Sequence, residues 1–161
     1  MKTLIAYAGR NGSTQKMAER IAGQIGAEAE LVNLHEQPAP ILTEFNQVIL
    51  GGSILAGSVP KALLNFVKHQ KEALQSKRVN IFICCLMEEH IDQYFGSNFP
   101  EPLYSHAEHK VWLGGELVLG DHNFIVRKML KKITGKSEDI QNLNWAAADQ
   151  LAAAAAAAIK E

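Results

Sequence analysis

Six residues near the start of the chain have the makings of an anion grip. Gly9-Arg10-Asn11-Gly12-Ser13-Thr14 follows an apolar run, Thr3-Leu4-Ile5-Ala6-Tyr7-Ala8, that stops abruptly. It precedes a stretch with Met17, Ala18, Ile21 and Ala22 at helical spacing. Glycine lets a backbone fold tightly and come close to a ligand. Successive N–H groups in such a turn converge on an anion, and a helix start adds partial positive charge. Asn11, Ser13 and Thr14 add short side-chain donors. This set suits a phosphate monoester. A P-loop would end in Gly-Lys-Ser/Thr, and Gly12-Ser13-Thr14 has no lysine. A dinucleotide fingerprint needs G-x-G-x-x-G, which the spacing of Gly9 and Gly12 does not give. A response-regulator site needs acidic residues where Tyr7-Ala8-Gly9 has none. The bland alternative is a plain turn before a helix capped by Ser13.

A second candidate loop lies in Leu50-Gly51-Gly52-Ser53-Ile54-Leu55-Ala56-Gly57-Ser58-Val59-Pro60. It follows an apolar run and runs into a helical pattern, so it also reads as a glycine-rich connection from strand to helix. Its alternative is a turn that binds nothing. A third segment, Leu86-Met87-Glu88, follows another apolar run, and Tyr94 and Phe95 come shortly after. Cys84 and Cys85 are neighbours in a strand pattern, so they point to opposite faces and read as buried, apolar-like side chains. The histidines show no metal-ligand spacing, and no metal site is expected. No side chain stands out as an acid, base or nucleophile.

The elements that must position these loops are legible. Five apolar runs read as strands: Leu4–Ala8, Ala29–Asn33, Gln47–Gly52, Val79–Leu86 and Lys110–Leu119. Most are continuous rather than alternating, the pattern of strands covered on both faces. Helical patterns cover Thr14–Ile25, Ala62–Leu74, Phe124–Thr134 and Leu143–Ile159. The stretch Leu34–Phe45 carries Pro38 and Pro40, so that crossover is expected to be barely helical. Strands alternating with helices predict a doubly wound α/β domain with a mostly parallel sheet. In such a sheet ligands sit outside the carboxyl ends of the strands, where both candidate loops fall. The run Ala152–Ala158 favours helix and is given no functional weight.

The whole chain narrows the field. With 161 residues, 47% apolar and 20% charged, it is expected to fold as one domain over residues 1–161. A formal net charge of −1 gives no general pull toward nucleic acid. No apolar run approaches the about 20 residues that span a bilayer. The start, Met1-Lys2-Thr3, leads straight into a strand, so no signal peptide is expected. Two adjacent cysteines do not make a secreted disulfide framework. A cytoplasmic location is the expectation.

The first loop resembles the FMN-phosphate loop of flavodoxins, (Thr/Ser)-x-Thr-Gly-x-Thr. Gly12 and Thr14 match, whereas Gly9 lacks the first hydroxyl and Asn11 replaces a threonine. Arg10 is similar to the second position of one branch, the menaquinone-dependent protoporphyrinogen dehydrogenases, whose loop runs Thr-Arg-Asp-Gly-Gln-Thr. That branch also has Gly-Ala-Ser-Ile-x-x-Gly in the second loop and a downstream Phe-Val. Gly51, Ser53, Ile54, Gly57, Phe66 and Val67 match it. The resemblance implies a flavodoxin-like five-stranded parallel sheet of order 2-1-3-4-5 with helices on both faces and bound FMN. Gly9 to Thr14 would hold the phosphate. Ser53, Ile54, Leu55, Ala56 and Gly57 would lie along the isoalloxazine ring, with Leu86, Met87 and Glu88 near its pyrimidine end. No aromatic occupies the second loop, so Tyr94 is the candidate for the ring's outer face. Burial of Tyr94 against a helix is the alternative.

The resemblance reaches the end of the chain. Arg127, Lys128, Lys131, Lys132 and Lys136 carry positive charge along an amphipathic pattern with no acid between His122 and Lys136. The branch has a basic helix here, then a Gly-containing turn and a helix opened by Asp-Trp, where this chain has Ile133-Thr134-Gly135 and Asn144-Trp145. Such a helix can lie on an anionic membrane surface and meet a quinone, or it can be a solvated face. The branch is rich in Arg and Tyr where this chain reads Val118-Leu119-Gly120-Asp121-His122-Asn123, so the groups expected to face an anionic porphyrin are largely missing. The resemblance therefore implies an FMN redox protein. It would be an oxidoreductase passing electrons to a quinone, peripheral to the inner face of the membrane. The alternatives are a carrier serving a soluble reductase and a binding module that has lost FMN.

Overall fold

Every residue of Thr3–Ala8 is buried, which only a central strand with covered faces allows. This is β1 of a computed structural model that describes residues 2–9, 12–121, 123–135 and 138–159. It pairs in parallel with β2 (Ala29–Asn33) on one side and β3 (Gln47–Ser53) on the other. Then come β4 (Arg78–Cys84) and β5 (His109–Trp112), also parallel. The order is β2-β1-β3-β4-β5, the 2-1-3-4-5 of the sequence expectation.

Period-2 alternation sends each strand's side chains to two cores. Leu4, Ala6, Val48, Leu50, Ile81 and Ile83 face α2 (Lys61–His69), α3 (Lys71–Gln75), α4 (Ile91–Asn98) and α5 (Glu101–His106). Ile5, Tyr7, Ile49 and Phe82 face α1 (Ser13–Ile25) and α7 (Trp145–Ile159). The alanine run contributes here. Ala152 and Ala155 of the run are buried along with Ala148 before it, and these small side chains bring α7 close to Met17, Ala18 and Ile21.

Three elements depart from the expectation. The strand predicted over Lys110–Leu119 breaks after Trp112. Gly114 (φ +75) turns the chain into β6 (Gly114–Leu117), which pairs antiparallel with β7 (Ile140–Leu143). A Cβ on Gly114 would lie 1.7 Å from the Asn142 carbonyl oxygen, so only glycine fits. The β6–β7 ribbon carries α6 (Phe124–Thr134) between its strands. The helix predicted over Ala62–Leu74 is interrupted at Gln70, whose φ −102, ψ 14 is not helical. The segment after β4, expected to be a loop with Tyr94 in it, folds instead into a short 3₁₀ turn (Glu88–His90) and α4. The β2–β3 crossover has only a 3₁₀ turn, Leu42–Glu44, as its prolines foretell.

One close approach tests this packing. Gly51 faces Phe82 across the β3–β4 ladder, and a Cβ on Gly51 would lie 2.1 Å from Phe82 Cζ. Gly51→Ala should lower unfolding stability by about 1–3 kcal/mol through overpacking. In a Phe82→Leu background the same change should cost clearly less, giving a non-additive cycle by urea unfolding.

Candidate functional site

The helix α1 starts on Gly12, at φ +78, and no side chain caps it. Its first N–H groups have no intrahelical acceptor, and its first turn contains no acidic residue. The start of α1 is thus an open, positive helix end at the carboxyl edge of β1. Ser13 does not cap it as the bland alternative supposed. Its Oγ accepts from the Glu116 N–H at 3.1 Å, which ties the loop to β6. The Glu116 carboxylate in turn receives Lys16 Nζ at 2.6 Å, so its negative charge is matched locally.

Thr14 is buried and packs on Gly9. A Cβ on Gly9 would sit 2.6 Å from Thr14 Cβ, so in this loop's shape the position has no room for a side chain. Thr14 Oγ1 is buried, with no partner of full hydrogen-bonding geometry among the described residues. Cys84 lies beside it, and burial pushes the Cys84 thiol up to about 12 while the Thr14 hydroxyl pulls the other way. A thiol held neutral in this way is inert, which fits the apolar reading of the cysteine pair. Arg10 and Asn11 lie outside the described residues.

The second loop leaves β3 at the neighbouring strand end, with Ala8 opposite Gly52 in the ladder. Ile54 N–H donates to the Cys84 carbonyl at 3.0 Å, extending the pairing by one residue. The chain then reverses sharply. Leu55 N–H donates to Ser58 O at 3.0 Å and Ser58 N–H to Leu55 O at 3.2 Å. Ala56 and Gly57 between them have φ of 50 and 82, the two positive values of a type I′ turn. Leu55 is 64% exposed at its tip.

The third segment is held from two sides. Trp112 Nε1 donates to the Cys85 carbonyl at 3.0 Å, and Cys85 N–H donates to Gly114 O at 2.9 Å. Leu86 is half-buried, while Met87 and Glu88 are exposed. Tyr94 is not on this loop. It is half-buried on α4, packed against the core, with its ring edge-on to His90 at 6.1 Å between centroids. The carboxyl ends of β1, β3 and β4 therefore bring together Gly9, Gly12, Ser13 and Thr14, then Ser53 to Gly57, then Leu86 to Glu88. Tyr94 belongs to α4, and its backbone carbonyl is joined to the Gly57 carbonyl through the Asn98 amide. Leu55 and Met87, not an aromatic, are the exposed large apolar side chains of the second loop and the segment after β4.

Sequence reasoning missed Glu116, which fastens the first loop, and Asn98, which fastens the second. Neither sits in a motif, and only the long-range fold reveals them. A cavity of about 550 Å³ opens where the second loop meets His35 and Lys61. Among the described residues no cluster of His, Cys, Asp or Glu side chains could hold a metal ion. None of their helices is long and apolar enough to cross a membrane.

Along α6, no side chain whose burial is described is buried. Phe124 is 78% exposed, Ile125 77% and Met129 56%. Arg127, Lys128, Lys131 and Lys132 share this helix, which Asn123 caps by accepting from the Val126 N–H at 3.0 Å.

With this geometry, the comparisons with known proteins become specific. The sequence model of the Flavodoxin domain family matches residues 4–144. Protoporphyrinogen IX dehydrogenase (quinone) of Escherichia coli strain K12 is 33% identical over 79 residues, which cover 47% of this chain and 44% of that protein. The match thus spans less than half of that relative's length. The protein of the same name from Leishmania major is 24% identical over 168 residues, covering 94% of this chain and 73% of its own. Oxidised flavodoxin 1 from Bacillus cereus superposes with a TM-score of 0.54 at 24% identity, covering 71% of this chain and 86% of its own. At that identity the superposition speaks for the fold alone.

Proposed function

The chain belongs to the Flavodoxin domain family, and from that premise we propose that it binds FMN and works as a redox protein. The observation that carries this is the edge formed by β1 and β3. An uncapped helix start and the buried Thr14 hydroxyl, with only the weak Cys84 thiol beside it among the described residues, lie next to a tight glycine turn. These features fit a phosphate. The dianion would meet N–H donors of α1 and give Thr14 Oγ1 a strong acceptor, while Gly12 leaves its approach clear, with nothing within 4 Å of an added Cβ among the described residues. Ser53 to Gly57 would offer backbone groups to the polar edge of the ring. Leu55 and Met87 would shield it where an aromatic does not. When bound, FMN supplies the electron and hydride chemistry. The residues present bind, orient and exclude water.

The electron partner is a quinone at an anionic membrane surface. Three features support this reading over a small carrier. The relatives that share sequence with this chain are named as quinone-linked dehydrogenases. The helix α6 exposes Phe124, Ile125 and Met129 next to four cations, a set that suits an acyl and headgroup boundary. A carrier steered by charge to a basic partner would be strongly acidic, whereas this chain has a formal net charge of −1.

Thr14→Ala should weaken FMN binding by ~1.5–3 kcal/mol, about tenfold or more, by removing a charge-assisted hydrogen bond. Gly12→Val should abolish it, because a β-branched residue is strained at that positive φ. Fluorescence quenching of FMN during titration reads both, and unchanged affinity in both would place the cofactor elsewhere. Replacing Lys128, Lys131 and Lys132 together by Gln should weaken binding to anionic vesicles steeply, at ~1 kcal/mol per cation, with FMN affinity intact. Wild-type protein that ignores such vesicles yet reduces a soluble acceptor quickly would favour the carrier.

A further inference from the structure

The turn Leu55–Ser58 places an alanine in a conformation that residues with a Cβ avoid. Ala56 has φ 50, and it is the only non-glycine with positive φ among the described residues. Two backbone hydrogen bonds close the turn, but an isolated tight turn with an exposed tip opens readily. Something outside the turn must hold it.

Asn98, the last residue of α4, is 7% exposed and reaches the turn from behind. Its Oδ1 accepts from Val59 N–H at 2.8 Å. Its Nδ2 donates to Gly57 O at 3.0 Å and to Tyr94 O at 2.9 Å. The partners fix which end of the amide is which, since a flipped amide would set oxygen against two carbonyls. One side chain thereby grips the chain just after the strained residue, at Gly57 and Val59, and anchors the turn to its own helix. With the Gly57 carbonyl taken by Asn98, the N–H groups of Ala56 and Gly57 are the donors the turn has left, without a partner among the described residues.

We propose that Asn98 is a positioning residue for the cofactor. It clamps the 55–58 turn in the shape that presents the Ala56 and Gly57 N–H groups to the polar edge of the flavin ring, and so helps to set FMN affinity and midpoint potential. This rests on FMN binding as proposed above. Asn98 acts through the turn, and no contact of its own with the ring is invoked. The geometry assigns it a role that composition hides, because a buried asparagine at a helix end otherwise reads as a cap.

The test uses Asn98→Ala, alone and combined with Ala56→Gly. In protein without added flavin, amide exchange at Leu55 and Ser58 should quicken about tenfold in the Asn98→Ala variant, as expected for loss of buried hydrogen bonds. With FMN, the same variant should bind about tenfold more weakly and show a displaced midpoint potential. Adding Ala56→Gly removes the strain, so the turn should re-form and recover most of both losses. Unchanged exchange at Leu55 and Ser58 overturns the clamp. Faster exchange with unaltered affinity and potential overturns the positioning role, and so does a loss of affinity that Ala56→Gly fails to rescue. Wild-type protein that takes up no FMN overturns the functional reading and the positioning role with it, while the exchange rates still decide the clamp.

Discussion

The parallel pairing of β1 with β3 is the constraint on which the site depends. After β1 the chain turns toward one face of the sheet to form α1, and after β3 it turns toward the other to form α2. Two connections that leave adjacent strands in opposite directions open a crevice between them, the general ligand position of such sheets. The register, with Ala8 opposite Gly52, brings the two loops level. The glycines of β3 serve this pairing before they serve any ligand. Gly51 yields to the Phe82 ring and Gly52 to Leu63, whose Cδ2 would lie 2.9 Å from an added Cβ. The Phe82 side chain lies across β3, and α2 closes down tightly on the sheet, because those positions have no side chain.

The β6–α6–β7 segment is a second layer of the same design. It departs where the fifth strand would have continued, and it returns as an antiparallel ribbon. Its base is fastened to the first loop through Ser13, Glu116 and Lys16, and the Asp139 carboxylate accepts from the Leu119 N–H at 2.8 Å. Its far part, α6, is apolar, cationic and uncovered. A rigid base at the proposed cofactor loop and an exposed helix beyond it suit a protein whose partner meets it on a surface.

Much of the fold was legible because strands buried on both faces leave continuous apolar runs, and Val48-Ile49-Leu50 and Ile81-Phe82-Ile83 are such runs. The fifth strand misled for the same reason. The apolar pattern persists through Leu113 and Leu117 while the hydrogen-bonding partner changes from β4 to β7, and pattern does not record partners. The first and second loops were readable from glycine and hydroxyl spacing. Tyr94 was expected on a loop because α4 is short and has weak periodicity, so a helix looked like a loop. Asn98 and Glu116 were invisible because their roles are long-range contacts, 41 residues back to Gly57 and 103 back to Ser13.

The central claim is that one crevice, at the β1–β3 edge, takes the phosphate and the ring together. Backbone amide chemical shifts of the labelled protein during FMN titration test it most directly. The account predicts that Ser13, Thr14 and Gln15 shift in step with Ser53 to Gly57, at one saturation point, as FMN is added. Shifts at His35, Lys61 and the second loop with Ser13, Thr14 and Gln15 unmoved, or none at either loop, would contradict it.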